Sequence, residues 1–281
     1  MDQSFPRISI VTPSYNQGQY LEKTILSVLE QGYPNLEFII MDGGSTDNSV
    51  EIIKKYEKRI AYWVSERDEG QSDAIRKGFQ RAKGEILAWL NSDDTYPPGT
   101  LHKVAQYYNR HRDIDVIYGN LLLMDGAGKI YDERRVMRPI PCLMGYGLLY
   151  GYFAFYQLSA FWTRAIYDRV GGVDPALTQG MDNDLITKFA FAGGRFGKLN
   201  DQLAVFRVHE LSKTFILSGG IHLKDRARIF AKYGAKESGW RPVLLKILLR
   251  IVKIGSFIAQ GDGIWFLASM IKKKYFRDKT P

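Results

Sequence analysis

The first half of the chain alternates apolar runs with amphipathic stretches, and that alternation leaves few folds open. Ile8-Ser9-Ile10-Val11-Thr12, Leu36 to Met41, Ile60 to Val64, Ile86 to Leu90 and Val116 to Tyr118 read as buried strands. Between them Leu21, Ile25, Val28 and Leu29 share one helical face; Ile52, Ile53 and Tyr56 share a second, and Ala74, Ile75 and Phe79 a third. Strands separated by helices of this length need right-handed parallel crossovers. The spacing predicts an α/β fold with a mostly parallel, twisted, doubly wound sheet flanked by helices. Ligands bind such sheets beyond the carboxyl ends of the strands, so the residues after each strand bear on function.

Four polar loops stand there. Thr12-Pro13-Ser14-Tyr15-Asn16 follows the first strand and can offer backbone groups and short polar side chains to a nucleotide base, though it is also ordinary turn chemistry. Asp42-Gly43-Gly44-Ser45-Thr46-Asp47 follows the second: its glycines allow close approach to the backbone, Asp42 can accept from a base or ribose, and Ser45, Thr46 or Asp47 can cap the next helix. Glu66 to Asp73 follows the third and by itself resembles a solvated acidic loop. Asn91-Ser92-Asp93-Asp94 follows the fourth. Water solvates an exposed pair of carboxylates, whereas a buried pair needs a cation or a shared proton. Mg²⁺ holding a diphosphate suits adjacent acids, because it binds one or two carboxylates plus phosphate oxygens. Four polar loops at one sheet edge imply one crevice.

The second half is less regular. Leu121 to Tyr131 reads as a hairpin turning at Asp125-Gly126, segment 139–162 as a Gly- and aromatic-rich lid or cleft wall, Asp182 to Ala192 as a helix, and Leu203 to Phe206 as a strand. From about residue 236 the composition shifts. Val243 to Ile254 is Leu/Ile-rich, with Lys246, Arg250 and Lys253 on one narrow face; Ile264 to Leu267, Met270-Ile271 and Lys272 to Lys274 follow. This reads either as a core-packing helix with a solvated Lys face or as basic amphipathic segments, 243–277, on an anionic membrane surface. The net charge of +9 suits acidic partners such as phosphate-bearing substrates. Because it concentrates in this tail beside no nucleic-acid motif, no nucleic-acid partner is expected. The single cysteine, Cys142, excludes an intrachain disulfide and fits a reducing compartment. No leader and no spanning helix are expected, which points to a cytoplasmic protein, peripheral on the cytoplasmic face of a membrane.

Taken in order, these residues resemble the family 2 glycosyltransferases. The likeness runs through Pro13 to Asn16, Ser27-Val28-Leu29-Glu30-Gln31, Asp42 to Ser49, Gly70-Gln71-Ser72-Asp73-Ala74, Lys77-Gly78-Phe79, Gly84-Glu85 and Asn91 to Asp94. It continues through Phe161-Trp162, Val170-Gly171-Gly172, Met181 to Leu185 and Arg207-Val208-His209, covering roughly residues 7–215. The resemblance implies the GT-A (nucleotide-diphospho-sugar transferase) fold over residues 1–235, with a nucleotide half of about 1–120 and an acceptor half of about 121–235, followed by a helical tail over 236–281.

It also implies roles. Thr12 to Asn16 and Asp42 would hold base and ribose. Gly70, Gln71, Asp73, Asn91, Ser92 and Asp93 would meet ribose or donor sugar, and Asp94, with His209, would ligate Mg²⁺ or Mn²⁺. Arg207 and Lys213 would neutralise the leaving diphosphate, while Trp162, Tyr152, Tyr156 and Gln157 would shape an acceptor pocket or belong to the core. Asn91 and Arg76 stand where relatives often have Asp and Asn. Asp182, or Asp184 two residues on, would be the general base; helix geometry sets them roughly 200° apart, so only one faces the cleft, and Asp182 matches the motif better.

The expected activity is inverting, metal-dependent transfer of one sugar from a nucleotide-diphospho-sugar, most often a UDP-sugar, to a glycan or lipid-linked acceptor in cell-envelope, capsule or exopolysaccharide assembly. A sugar nucleotidyltransferase would want Arg or Lys in the first loop, and a dehydrogenase Gly-x-Gly-x-x-Gly there; Thr12 to Gly18 holds neither. A processive synthase would carry Gln-x-x-Arg-Trp, which is absent. A catalytically inactive nucleotide-sugar-binding scaffold of the same fold is the non-enzyme alternative.

Overall fold

All seven residues of Ile8–Ser14 (β1) are buried. Both faces of this strand are covered, so apolar Ile10 and Val11 stand side by side and even Ser9, Thr12 and Ser14 are buried. After it come α1 (Gly18–Leu29), β2 (Leu36–Asp42), α2 (Ser49–Tyr56), β3 (Tyr62–Ser65), α3 (Gln71–Arg81), β4 (Ile86–Trp89), α4 (Thr100–Arg110) and β5 (Val116–Asp125). The second half adds β6 (Ile130–Arg134), α5 (Pro141–Leu149), a 3₁₀ turn at Gln157–Ser159, β7 (Ala160–Thr163), α6 (Arg164–Arg169), α7 (Met181–Phe191) and β8 (Phe196–Val208). Two further helices follow, α8 (Leu223–Lys232) and α9 (Trp240–Ala259). The structure is a computed structural model and describes residues 5–150, 156–210, 223–236 and 238–268. Tyr152, Lys213 and 269–281, all named in the sequence reading, lie outside the described residues, as does the side chain of Cys142.

One sheet runs in the order β3-β2-β1-β4-β7-β5-β6, with β8 paired to β5. The strands β3-β2-β1-β4 are all parallel, as the helical spacers require. Beyond β4 the sheet is mixed: β7 is antiparallel to β4 and β5, β6 is antiparallel to β5, and β8 is parallel to β5. β1 lies between β2 and β4, so the connections leave it in opposite directions and their loops part above it. That switch point opens a crevice.

Two apolar layers cover the sheet. One contains α1, α2 and α4 through Leu21, Ile25, Val28, Ile53, Leu101 and Val104. The other contains α3, α5 and α7 through Ile75, Phe79, Leu148, Leu185 and Phe189. Close approach matters between α3 and β1, where a Cβ on Gly78 would come within 2.4 Å of Val11 Cγ1.

The hairpin forms, with Gly128 N donating to Asp125 O across its turn. Segment 139–162 departs from the expected lid. Met144, Leu148 and Leu149 bury α5 in the core, and β7 joins the sheet. Among the described residues of this segment, Gly145 and Tyr146 pack against Phe191 of α7, whereas Gln157 reaches the cleft. Helices α4, α6 and α8 lie outside the expected set; α6 has only six residues, too few to show a period.

Candidate active site

A cleft of about 770 Å³ opens at the carboxyl ends of the parallel strands. Pro13, Ser14 and Tyr15 line it after β1, Gly70 and Gln71 before α3, and Asn91, Ser92 and Asp93 after β4. The second half of the chain closes it with Gln157 and with Thr178 to Asn183, including Asp182.

Several other expected residues build the loops instead of facing the cleft. Asp42 is buried: its Oδ2 accepts from Ser45 N at 2.9 Å and Ser65 Oγ at 2.7 Å, and its Oδ1 accepts from Ser45 Oγ at 2.5 Å. Asn16 adopts φ 51°, and its Oδ1 accepts from Thr46 N at 2.8 Å, joining the first two loops. Asp47 accepts from Gly18 N and Ser49 N, both at 2.9 Å, so one carboxylate serves the starts of α1 and α2. Thr12 lies buried in β1. Asp73 is clamped by Arg76 and Lys77, each at 2.8 Å; burial pushes its carboxyl up, but these cations outweigh it and hold the pKa below the ordinary value. Arg76 thus acts on Asp73.

The acid loop divides its two carboxylates. Asp94 is completely buried: Oδ1 accepts from Arg207 N at 3.0 Å and Oδ2 from Asn91 Nδ2 at 3.3 Å. Burial and the neighbouring Asp93 charge push its carboxyl well above the usual range. Asp93 faces the cleft, and its Oδ2 lies 3.0 Å from His209 Nε2. The expectation for the metal ligand at Asp94 therefore meets a correction in placement: the turn after β4 directs Asp94 inward onto the β8 backbone and presents Asp93. Thr24 Oγ1 lies 2.9 and 2.7 Å from the carbonyls of Ser92 and Asp94 and fixes the loop from α1. Arg207 is likewise buried; Nε donates to Asp93 O at 2.9 Å, Nη1 to Asp125 O and Gly126 O at 3.3 Å, and the guanidinium covers the Tyr20 ring at 4.8 Å. It holds the loop rather than facing the cleft. Arg67 supplies a cation on the wall.

On the acceptor side, Gly180 (φ 69°) ends the loop before α7 and sets Asp182 in its first turn. Burial at the cleft wall pushes the Asp182 carboxyl above its ordinary value, against backbone hydrogen bonds from Asn183 and its own N–H. Asp184 points the other way. It is fully buried, with Lys232 Nζ 3.0 Å from both oxygens, Lys188 Nζ at 3.1 Å and Tyr233 Oη at 3.2 Å. Trp162 is core, 5.4 Å from the Trp89 ring and 5.6 Å from Phe189, because both faces of β7 are covered. Tyr156 packs against both apolar layers away from the wall, whereas Gln157 reaches the wall and donates to Trp89 O at 2.6 Å.

Among the described residues no three His, Cys, Asp or Glu side chains converge into a ready-made metal cage. Asp93 and His209 offer one carboxylate and one imidazole. That donor set fits Mg²⁺ or Mn²⁺ when diphosphate oxygens and water complete the shell.

The family described as "Glycosyl transferase family 2" matches residues 9–165, more than half of the chain. The chain belongs to glycosyl transferase family 2. Similar relatives include an uncharacterized glycosyltransferase of Nostoc sp., 27% identical over 213 residues, covering 72% of this chain and 65% of the relative. Another is Bacillus subtilis TuaG, named for teichuronic acid biosynthesis, 40% identical over 105 residues, 36% of this chain and 42% of the relative. The chain thus spans less than two thirds of either relative. Among solved structures, S. aureus TarS in complex with UDP-GlcNAc superposes with a TM-score of 0.64 at 18% identity, covering 80% of this chain and 64% of that one. A Pyrobaculum calidifontis mannosyltransferase in complex with GDP-Man and Mn²⁺ gives 0.58 at 19%, covering 96% and 80%. The fold is therefore the GT-A architecture of these glycosyltransferases.

In this family 2 chain, several cleft residues carry no sequence signal. Arg67 and Asp68 are indistinguishable from a solvated loop, and Thr178 and Gln179 follow no pattern. Asp225 of α8 holds that second loop: its Oδ2 accepts from Thr178 N at 3.2 Å, Thr178 Oγ1 at 2.8 Å and Gln179 N at 2.9 Å.

Proposed function

We propose that this chain transfers a single sugar from a nucleotide-diphospho-sugar, with UDP as the carrier, to an acceptor hydroxyl, inverting the anomeric centre. The setting we propose is cell-envelope, capsule or exopolysaccharide assembly, with a glycan or lipid-linked acceptor and the chain held peripherally at the cytoplasmic face of a membrane. Residues 1–235 would carry the chemistry. The teichuronic acid name of TuaG and the UDP-GlcNAc and GDP-Man complexes of the two structures support this reading.

One observation carries it: a single cleft has Asp93, bonded from behind by His209, on one wall and Asp182 on another, above the switch point of a parallel sheet. Ser14 supports a polar ligand there, since its buried Oγ has no hydrogen-bond partner among the described residues. Asp93 and His209 would hold Mg²⁺ or Mn²⁺, which when bound supplies positive charge for the diphosphate. Asp182 accepts the proton of the acceptor hydroxyl as that oxygen attacks the anomeric carbon. Arg67 offers further positive charge in the cleft. Attack from the face opposite the leaving group inverts configuration and needs no enzyme nucleophile.

The test is incubation with nucleotide sugars and candidate glycan acceptors, followed by NMR of the product. The expected product carries the anomeric configuration opposite to the donor's. Retention contradicts single displacement, and tight donor binding without turnover on any acceptor favours a binding scaffold.

A further inference from the structure

Helix α9 has two apolar faces. One docks: Leu249 and Phe257 are buried in the same cluster as Trp89 and Trp162, with Leu245, Val252, Trp265 and Phe266 packed beside them. Arg135 Nη1 bonds Asp262 Oδ1 at 2.6 Å, and Lys198 Nζ donates to Gln260 Oε1 at 2.7 Å, fixing the segment on the sheet. The other face is bare. Trp240, Val243, Leu244, Ile247, Leu248, Ile251, Ile254 and Ile258 are exposed along it, Ile251 at 62% and Ile258 at 64%, and Ile264 follows at 86%. At 100° per residue these positions form a stripe roughly 140° wide. Soluble surfaces rarely leave so continuous an apolar strip uncovered.

Charge identifies what covers it. Trp240–Ala259 contains Arg241, Lys246, Arg250 and Lys253 and no acid. Arg250 is exposed beside the bare stripe, while Lys246 and Lys253 are half-buried toward the docked face, Lys246 over the Tyr150 ring at 5.4 Å. Residues 236–281 hold ten Lys and Arg against three Asp and Glu, a net +7 of the chain's +9. Two copies packed stripe to stripe would bring like charges together, since the helix carries no acid. Across a lipid surface the same cations meet headgroup phosphates, and their stems cover apolar surface while the charges reach water. No helix among the described residues is long and apolar enough to cross a membrane.

We infer that α9 lies in the interfacial layer of an anionic bilayer, with the exposed stripe of Val243, Leu244, Ile247, Leu248, Ile251 and Ile258 facing the acyl chains and Arg250 facing the headgroups. The docked face makes α9 a rigid part of the transferase domain, so the helix holds the cleft itself at the surface. This deepens the membrane setting proposed above but rests on α9 and not on the chemistry, so either can fail alone.

Flotation of the full chain with vesicles tests it. The expected result is binding to phosphatidylglycerol-containing vesicles, at least about tenfold weaker binding to phosphatidylcholine alone, and weakening with salt. Ile247→Glu/Ile251→Glu should abolish flotation; Arg250→Glu, at an exposed position that leaves the apolar stripe intact, should weaken it several-fold. Both should keep wild-type melting and donor turnover on a soluble acceptor. Equal binding to neutral vesicles, no binding to either, or a concentration-dependent dimer abolished by Ile247→Glu/Ile251→Glu would each overturn the inference.

Discussion

Asp93 and Asp94 after β4, and Asp182 and Asp184 at the start of α7, are built on one plan. In each, one carboxylate faces the cleft and its neighbour is buried in the scaffold. They differ in what holds the buried acid. Asp94 is met by uncharged donors, the Arg207 backbone N–H and the Asn91 amide, within the β4–β8 seam. Asp184 is met by two ammonium groups and a phenol, two of the three drawn from the end of α8 and the residue after it. Asp94 is thus held by hydrogen bonds from its own loop and from β8, whereas Asp184 is held by charges from α7 and from the end of α8. Under the proposed function, donor binding and proton removal can therefore be damaged separately.

The largest effect that separates the two pairs is expected from Asp182→Asn. Turnover should fall about 10³-fold with donor affinity unchanged in titration calorimetry; full activity would remove Asp182 from the base role. Because burial raises the Asp182 pKa, protonation disables the base at higher pH than for an ordinary carboxylate. The acidic limb of kcat/KM against pH should therefore lie above about 3.9, and a limb at or below that value would contradict the assignment.

Next in size is Asp184→Ala, which strands Lys188 and Lys232 and should cost about 3–5 kcal/mol in denaturant unfolding. Asp94→Asn, which swaps one acceptor oxygen among uncharged partners, should cost about 1 kcal/mol. Equal losses from the two variants would erase the distinction between the pairs. The smallest change is Thr24→Val, about 1 kcal/mol or less, with a modest rise in KM for the donor. An unaltered KM would show that Thr24 does not position the acid loop.

Sequence patterning reached the first half of the chain because strand and helix periods differ and every loop after β1 to β4 carries polar residues at one edge. It could not tell Asp93 from Asp94, since which of two adjacent acids turns inward depends on a β8 backbone N–H more than a hundred residues away. Ser27 and Gln31, part of the family likeness, have structural roles: Ser27 Oγ accepts from Tyr96 N at 3.2 Å and Gln31 Nε2 donates to Pro97 O at 2.9 Å. Trp162 resembled a sugar platform because an aromatic at a strand end has the same letter whether it is core or wall. Thr24 and Asp225 left no trace, because their partners are backbone groups of distant loops.

The central claim is that Asp93 and His209 hold a divalent cation that binds the donor diphosphate. Calorimetric titration of UDP with and without Mn²⁺ tests it most directly, on the wild type and on Asp93→Ala. The account expects Mn²⁺ to tighten UDP binding to the wild type by about tenfold or more and to leave Asp93→Ala unaffected. Binding of UDP that ignores Mn²⁺ in the wild type, or that responds to it equally in Asp93→Ala, would contradict the account.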